Sequence, residues 1–125
     1  MLEAYSLNVT VPASSAVPFN NVSLKKGCTA TLNGVSTIEL NKCGVYMVNC
    51  EASSATSTSL QVFKDGVAQP QAQSVGNSPC ITTLVQVPQN NSCCACSEPT
   101  TIQVRNIGTA ATTLTDCNVC VTKIC

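Results

Sequence analysis

Ten of the 125 residues are cysteines, and their thiols offer the widest range of chemistry in this sequence. They are Cys28, Cys43, Cys50, Cys80, Cys93, Cys94, Cys96, Cys117, Cys120 and Cys125. Cysteines serve as metal ligands, as redox-active pairs, as disulfide partners or as small apolar residues of a core. Their spacing along the chain helps to choose between these uses.

Structural zinc is one alternative. Residues 93–96 place three thiols within four positions, and Cys117 and Cys120 have CxxC spacing. A zinc-binding CxxC sits in a tight turn, whereas this one lies in a predicted strand, where positions i and i+3 point to opposite faces. There is no His to complete a Cys/His ligand set. We therefore expect no cofactor, with structural zinc at the thiol cluster as the alternative. A redox-active pair is disfavoured because no helix is predicted after Cys120.

Disulfides and buried free thiols remain. We treat all ten cysteines as candidates for disulfides or cross-links, some of them between subunits, while some strand cysteines can be core residues. Adjacent Cys93 and Cys94 are expected to reach different partners, because a disulfide between neighbouring residues is strained. Cys125 is free to reach across an interface. Spacing alone does not define the connectivity.

Enzymatic chemistry has little support. The chain has no His, six basic and six acidic residues, and neither paired carboxylates, a phosphate-binding Gly loop nor a GxSxG motif. Zero net charge argues against nucleic-acid binding. No apolar run approaches the roughly 18 residues of a membrane helix. The N-terminus lacks the pattern of a secretory signal, so we expect synthesis in the cytosol. Ten cysteines are unusual there, because cytosolic disulfides are rare.

Strand signals dominate the chain, which contains 15 Val and 15 Thr. Alternation predicts that Tyr5, Leu7, Val9 and Val11 share one face and that 81–87 is a strand. Residues 44–52 are predicted to form a central, largely buried strand, and Asp65-Gly66 predicts a hairpin between strands at 60–64 and 67–73. Composition predicts loops at 53–59 and 89–99. About eight to ten short strands indicate an all-β sandwich or barrel. The length favours one domain over residues 1–125, with 1–21 as an N-terminal strand or arm and linker.

Two segments resemble a known family. Residues 43–48 (CGVYMV), followed by 60–67 (LQVFKDGV), are similar to the G-x-Y strand and the later N/D-G-V hairpin of TNF/C1q-like jelly rolls. The neutral, Thr/Val/Asn-rich composition resembles bacterial versions on spore surfaces, although this sequence has no Gly-X-Y collagen stalk. The tail, with strands at 101–106 and 118–123 after a Cys-rich loop, resembles small proteins encoded by phages and prophages.

The resemblance implies an antiparallel jelly-roll β-sandwich that assembles as a homotrimer. It implies a non-enzymatic phage protein, made in the host cytoplasm, that decorates the virion surface by binding the major capsid protein or another virion component. Oxidation after lysis would then explain the cysteines. The alternatives are a spore-surface or extracellular appendage subunit and a receptor- or glycan-binding fibre head. For a binding head, the candidate aromatic residues are Tyr5, Phe19, Tyr46 and Phe63.

Overall fold

The structure is a computed structural model that describes residues 1–27, 29–88 and 100–125. Every regular element in these ranges is a β-strand. The strands are β1 (Leu2–Val11), β2 (Asn21–Lys25), β3 (Ala30–Asn33), β4 (Thr37–Leu40), β5 (Gly44–Ser54), β6 (Thr58–Lys64), β7 (Val67–Gly76), β8 (Cys80–Val87), β9 (Thr100–Asn106) and β10 (Thr112–Lys123). The predicted loop at 89–99 lies outside the described residues.

Two five-stranded antiparallel sheets form the sandwich. The front sheet has the strand order β2-β1-β10-β5-β8, and the back sheet has the order β3-β4-β9-β6-β7. The N-terminal strand β1 lies inside the front sheet, paired with β10 on one side and β2 on the other. The predicted all-β sandwich is confirmed.

Alternation along the strands builds the core between the sheets. In β8, Ile81, Thr83, Val85 and Val87 are buried, while the residues between them face solvent. The central strand β5 also alternates, so the prediction that 44–52 is largely buried holds for only one of its faces. This pattern is typical of a sheet that packs on one side and leaves the other side open.

The predicted turns lie where their residues indicate. Asp65 and Gly66 both have positive φ, 49° and 81°, as the tight hairpin between β6 and β7 requires. Pro70 lies in β7, an edge strand, where a missing backbone donor is tolerated.

The predicted Ser/Thr-rich loop at 53–59 is shorter than expected. β5 continues to Ser54 and β6 begins at Thr58. The hydroxyl of Thr112 on β10 lies 2.7 Å from that of Thr58 and 3.4 Å from that of Ser54. These cross-strand hydrogen bonds let the hydroxyl side chains be buried at the end of the sandwich.

The segment at 12–20 is packed against the sandwich and is not a free linker. Val17 and Phe19 are buried in the core. The Val17 amide donates to the carbonyl of Val104 at 2.7 Å, and the Asn106 amide donates to the carbonyl of Ser15 at 2.9 Å. The segment therefore pairs with the end of β9.

Candidate interaction surface

The outer side of the front sheet, here called the front face, carries exposed apolar side chains in two separate places. The β1 patch consists of Tyr5 and Leu7, with Cys120 of β10 beside them. The β8 patch consists of Met47 and Leu84, and Cys80 lies at the start of the same strand β8, four residues before Leu84. Unpartnered apolar side chains grouped on one sheet face are typical of a protein–protein contact surface.

A left-handed residue in β1 separates the β1 patch from the core residues of the same strand. Leu7 pairs with Asp116 and Val9 pairs with Leu114, and between them Asn8 adopts a left-handed φ of 53°. The register with β10 is the same on both sides of Asn8, but Leu7 and Asn8 are both exposed and the alternation reverses there. Tyr5 and Leu7 therefore face solvent, while Val9 and Val11 enter the core. The prediction that these four residues share one face is therefore wrong.

The side chains of the β1 patch border a shallow depression of about 430 Å³. Leu7 is 59% exposed and Tyr5 is 36% exposed. Cys120 and Asn118, on the neighbouring strand β10, line the same depression. Below Tyr5, the buried Ser6 hydroxyl donates to the carbonyl of Pro18 and accepts from the amide of Asn20, each at 2.7 Å. These two bonds tie the 12–20 segment to β1 beneath the patch.

The β8 patch lies at the other side of the same face. Leu84 is 57% exposed and pairs across the strands with half-buried Met47. Exposed Cys80 pairs with Glu51, and its Sγ lies 4.0 Å from the Glu51 Oε1. Leu84 and Met47 were not predicted to be surface residues. The alternation of β5 and β8 places both residues on the solvent side once the set that faces the core is known.

The six described cysteines, Cys43, Cys50, Cys80, Cys117, Cys120 and Cys125, have free thiols. Cys80 and Cys125 are exposed, Cys43 and Cys120 are half-buried, and Cys50 and Cys117 are fully buried in the core. Cys117 and Cys120 face opposite sides of the front sheet, so their CxxC spacing does not bring the two thiols together. Cys28, Cys93, Cys94 and Cys96 lie outside the described residues, and cross-linking of the ten candidates stays a prediction.

One pair of cysteines does meet. Cys50 on β5 and Cys117 on β10 hydrogen-bond through their side chains, and this bond together with burial raises the pKa of the Cys50 thiol well above its ordinary value. Because thiolates are the reactive form, Cys50 is a packing residue in the folded protein. In the described ranges, no group of three or more Cys, Asp or Glu side chains is arranged to hold a metal ion. The zinc alternative at residues 93–96 lies outside those ranges.

The four aromatic candidates separate into two pairs. Phe19 and Tyr46 are buried in the core. Tyr5 borders the depression on the front face. Phe63 is half-buried on the outer side of the back sheet, where the Arg105 guanidinium carbon lies 4.4 Å from its ring centroid. Only Tyr5 and Phe63 are placed to contact a ligand.

Comparison with solved structures identifies the sandwich. The globular domain of zebrafish complement 1qA protein superposes with a TM-score of 0.73 at 10% identity, covering 99% of this chain and 96% of that one. The fold is the TNF/C1q-like jelly roll. Murine APRIL superposes with a TM-score of 0.68 at 13% identity, covering 98% of both chains. An Eiger TNF from S. frugiperda gives 0.58 at 11% identity, with 99% and 92% covered.

These similarities confirm the jelly-roll fold that residues 43–48 and 60–67 indicated. At such identities they show the fold alone. No known sequence family and no curated protein matches the chain. Within the described residues of this TNF/C1q-like jelly roll, no helix is long and apolar enough to cross a membrane.

Proposed function

We propose that this chain is a non-enzymatic structural protein that assembles as a homotrimer through its front face and decorates the surface of a bacteriophage virion. The observation that carries the trimer is the pair of apolar patches on the solvent side of the front sheet. Leu7 and Leu84 expose more than half of their surface there. Burying them between copies stabilises an assembly by removing apolar area from water.

The two patches favour a cyclic assembly. They are chemically and geometrically different: one is centred on β1 with a depression, and the other lies on β5 and β8 at the edge of the sheet. A ring forms when one surface of each subunit meets a different surface of the next. The resemblance to TNF/C1q-like proteins supports three as the number of subunits. The proposed single domain over residues 1–125 supplies both surfaces.

The virion placement is supported by composition and by the resemblance to phage-encoded proteins. Many copies tiled on a capsid avoid mutual repulsion when the net charge is zero, as it is here. A protein made in the host cytoplasm and exposed to oxidant after lysis can carry latent thiols. The partner in this proposal is the major capsid protein or another virion component.

The oligomeric state tests the trimer. Light scattering coupled to size exclusion, in reductant, should give three times the 12.9 kDa of one chain. Leu84→Lys should shift the protein to monomer, because it places a charge in the proposed contact. Val67→Lys is the matched control, since Val67 is 64% exposed but lies on β7 of the back sheet. A wild-type protein that stays monomeric at high concentration would contradict the proposal.

A receptor- or glycan-binding fibre head is the second candidate. The observation that favours it is the stack of Arg105 on Phe63 on the outer side of the back sheet, because a partly open aromatic ring beside a cation is a common recognition element. Electron microscopy of the native particle with a labelled chain separates the candidates. Density over the capsid lattice supports decoration, whereas density at fibre tips supports the binding head. Labelling of spores or cell appendages would favour the third alternative, a surface subunit of the bacterium.

A further inference from the structure

Two free thiols lie on the front face, near its two apolar patches. Cys80 is at the start of the edge strand β8, and Cys120 is on β10 beside the depression of the β1 patch. Cys80 is exposed and Cys120 is half-buried. Both are therefore part of the surface through which the subunits are proposed to meet.

The two thiols cannot bond to each other within one chain. Cys120 pairs with Asn49, which pairs with Thr82, so Cys80 lies two strands across and two residues along from Cys120. With strands about 4.8 Å apart and a rise of about 3.4 Å per residue, their Cα atoms are separated by roughly 12 Å. A disulfide requires Cα atoms about 4.4–6.8 Å apart. Any bond between these residues must join different copies.

We propose that Cys80 of one subunit and Cys120 of the next form an intersubunit disulfide that locks the assembled ring. This rests on the proposed trimer. In the proposed cyclic contact, the edge strand β8 of one subunit, which begins with Cys80, lies over the depression of the next subunit, which Cys120 lines. The rotation repeats this junction around the ring.

The surroundings of both residues suit this role. The Cys80 Sγ lies 4.0 Å from the Glu51 Oε1 on the next strand, so the thiol lies over the front face. Cys120 borders a depression of about 430 Å³, which leaves room for an incoming side chain. Cys50 and Cys117, in contrast, are fully buried and are out of reach of another subunit.

The oxidant is a small-molecule disulfide such as oxidised glutathione. The Cys80 thiolate attacks one sulfur of the oxidant and releases a first glutathione thiolate, which leaves a mixed disulfide. The Cys120 thiolate of the neighbour then attacks the Cys80 sulfur and releases the second glutathione thiolate. The two protons lost by the cysteines are taken up by the two glutathione thiolates. Two protein thiols are thus oxidised, and one disulfide is reduced to two thiols.

Non-reducing electrophoresis after treatment with oxidised glutathione tests the lock. The wild type should give cross-linked dimers and trimers that reductant abolishes. Cys80→Ser and Cys120→Ser should each run as monomer. Cys125→Ser is the matched control, because Cys125 is also exposed but lies outside both patches, and it should cross-link like the wild type. Cross-linking that persists undiminished in Cys80→Ser or in Cys120→Ser would overturn the inference.

Complementation tests the pairing directly. When the Cys80→Ser and Cys120→Ser variants are co-expressed, one with a tag that changes its mass, each mixed trimer contains a junction with one Cys80 and one Cys120. Oxidation should then give dimers that contain both variants. A mixture that stays monomeric, while the wild type cross-links, would refute the pairing of Cys80 with Cys120.

Size exclusion in reductant separates this inference from the function on which it rests. A wild type that is trimeric in reductant and never cross-links contradicts only the disulfide. A wild type that is monomeric in reductant contradicts the trimer as well.

Discussion

Cys50 and Cys117 hydrogen-bond to each other through their side chains in the core of the front sheet, although 66 residues separate them in sequence. Each is no more than 1% exposed. Two other cysteines, Cys80 and Cys120, lie on the front face, which is the opposite side of the same sheet. One sheet therefore holds a buried, unreactive pair of thiols and an accessible pair.

Alkylation of the native protein should separate these two classes. At neutral pH, iodoacetamide is expected to label Cys80 and Cys125 rapidly, because both side chains are exposed. Cys50 and Cys117 should react only when the protein is denatured. Peptide mapping by mass spectrometry measures each site, with the fully denatured chain as the control. Native labelling of Cys50 at the rate of Cys80 would show that the core packing is different.

Stability should fall at alkaline pH. The pKa of the Cys50 thiol is raised in the folded protein, so folded Cys50 keeps its proton when the unfolded chain begins to lose it, around the ordinary value of 9.0. Loss of that proton stabilises the unfolded chain, so the free energy of unfolding falls as pH rises further. The contribution of Cys50 to the free energy of unfolding is fully present only below the ordinary thiol pKa. Urea titrations between pH 7 and pH 10 measure this slope. Cys50→Ala, compared with Cys125→Ala, should have a flatter pH dependence, and an unchanged slope would contradict the assignment.

Gly44→Ala should destabilise the protein. Gly44 has a φ of 138°, and an added Cβ would collide with the backbone carbonyl of Cys125 and lie 2.8 Å from the Lys123 Cε. Gly76→Ala is the matched control, because Gly76 has a φ of 145° but nothing within 4 Å of an added Cβ. Both variants carry a backbone cost of about 1–3 kcal/mol. Gly44→Ala should cost about 1–3 kcal/mol more from overpacking, as measured by urea unfolding. Equal losses would show that the close approach is absent.

Tyr46→Phe removes a buried hydroxyl that joins two loops. The Tyr46 hydroxyl lies 2.8 Å from the carbonyl of Lys42 and 3.2 Å from that of Thr29, and it accepts from the Lys42 amide at 3.2 Å. Its loss should lower the free energy of unfolding by about 1–3 kcal/mol. Tyr5→Phe is the control, since Tyr5 is partly exposed on the front face, and it should be near neutral. Thermal unfolding measures the stability of the two variants. A Tyr46→Phe variant as stable as the wild type would contradict this role of the hydroxyl.

Asn8→Val should disturb the left-handed backbone that orients the β1 patch. Asn8 has a φ of 53°, which a β-branched residue adopts at a cost of roughly 1–2 kcal/mol. Asn8→Gly should be tolerated, because glycine accepts this conformation freely. Thr10→Val, on the same strand without a positive φ, is the control. Chemical denaturation measures stability, and light scattering should also report a weaker trimer for Asn8→Val. Equal stability of the Val and Gly variants would show that position 8 does not require a left-handed backbone.

The class of fold and most of the strands are predictable from local sequence patterns. Alternation at 81–87 and the Asp65-Gly66 turn are local signals, because side-chain direction and positive φ depend on neighbouring residues. Alternation predicted for this reason that 81–87 is a strand with two different faces, and it left open which face is buried. The G-x-Y strand and the D-G-V hairpin indicated the jelly roll that the superpositions confirm.

Only the tertiary structure decided which side of each sheet is buried and which distant residues share a face. The left-handed backbone at Asn8 reverses the alternation of β1, and β10 shifts its register against β5 at the same level, between Leu114 and Asp116. The local sequence pattern contains neither change. The placement of Cys80 and Cys120 on one face follows from the strand order β10-β5-β8, a non-local property of the fold. The cysteine count suggested cross-linking, whereas the sheet geometry separates the thiols that can reach another subunit from those that only pack the core.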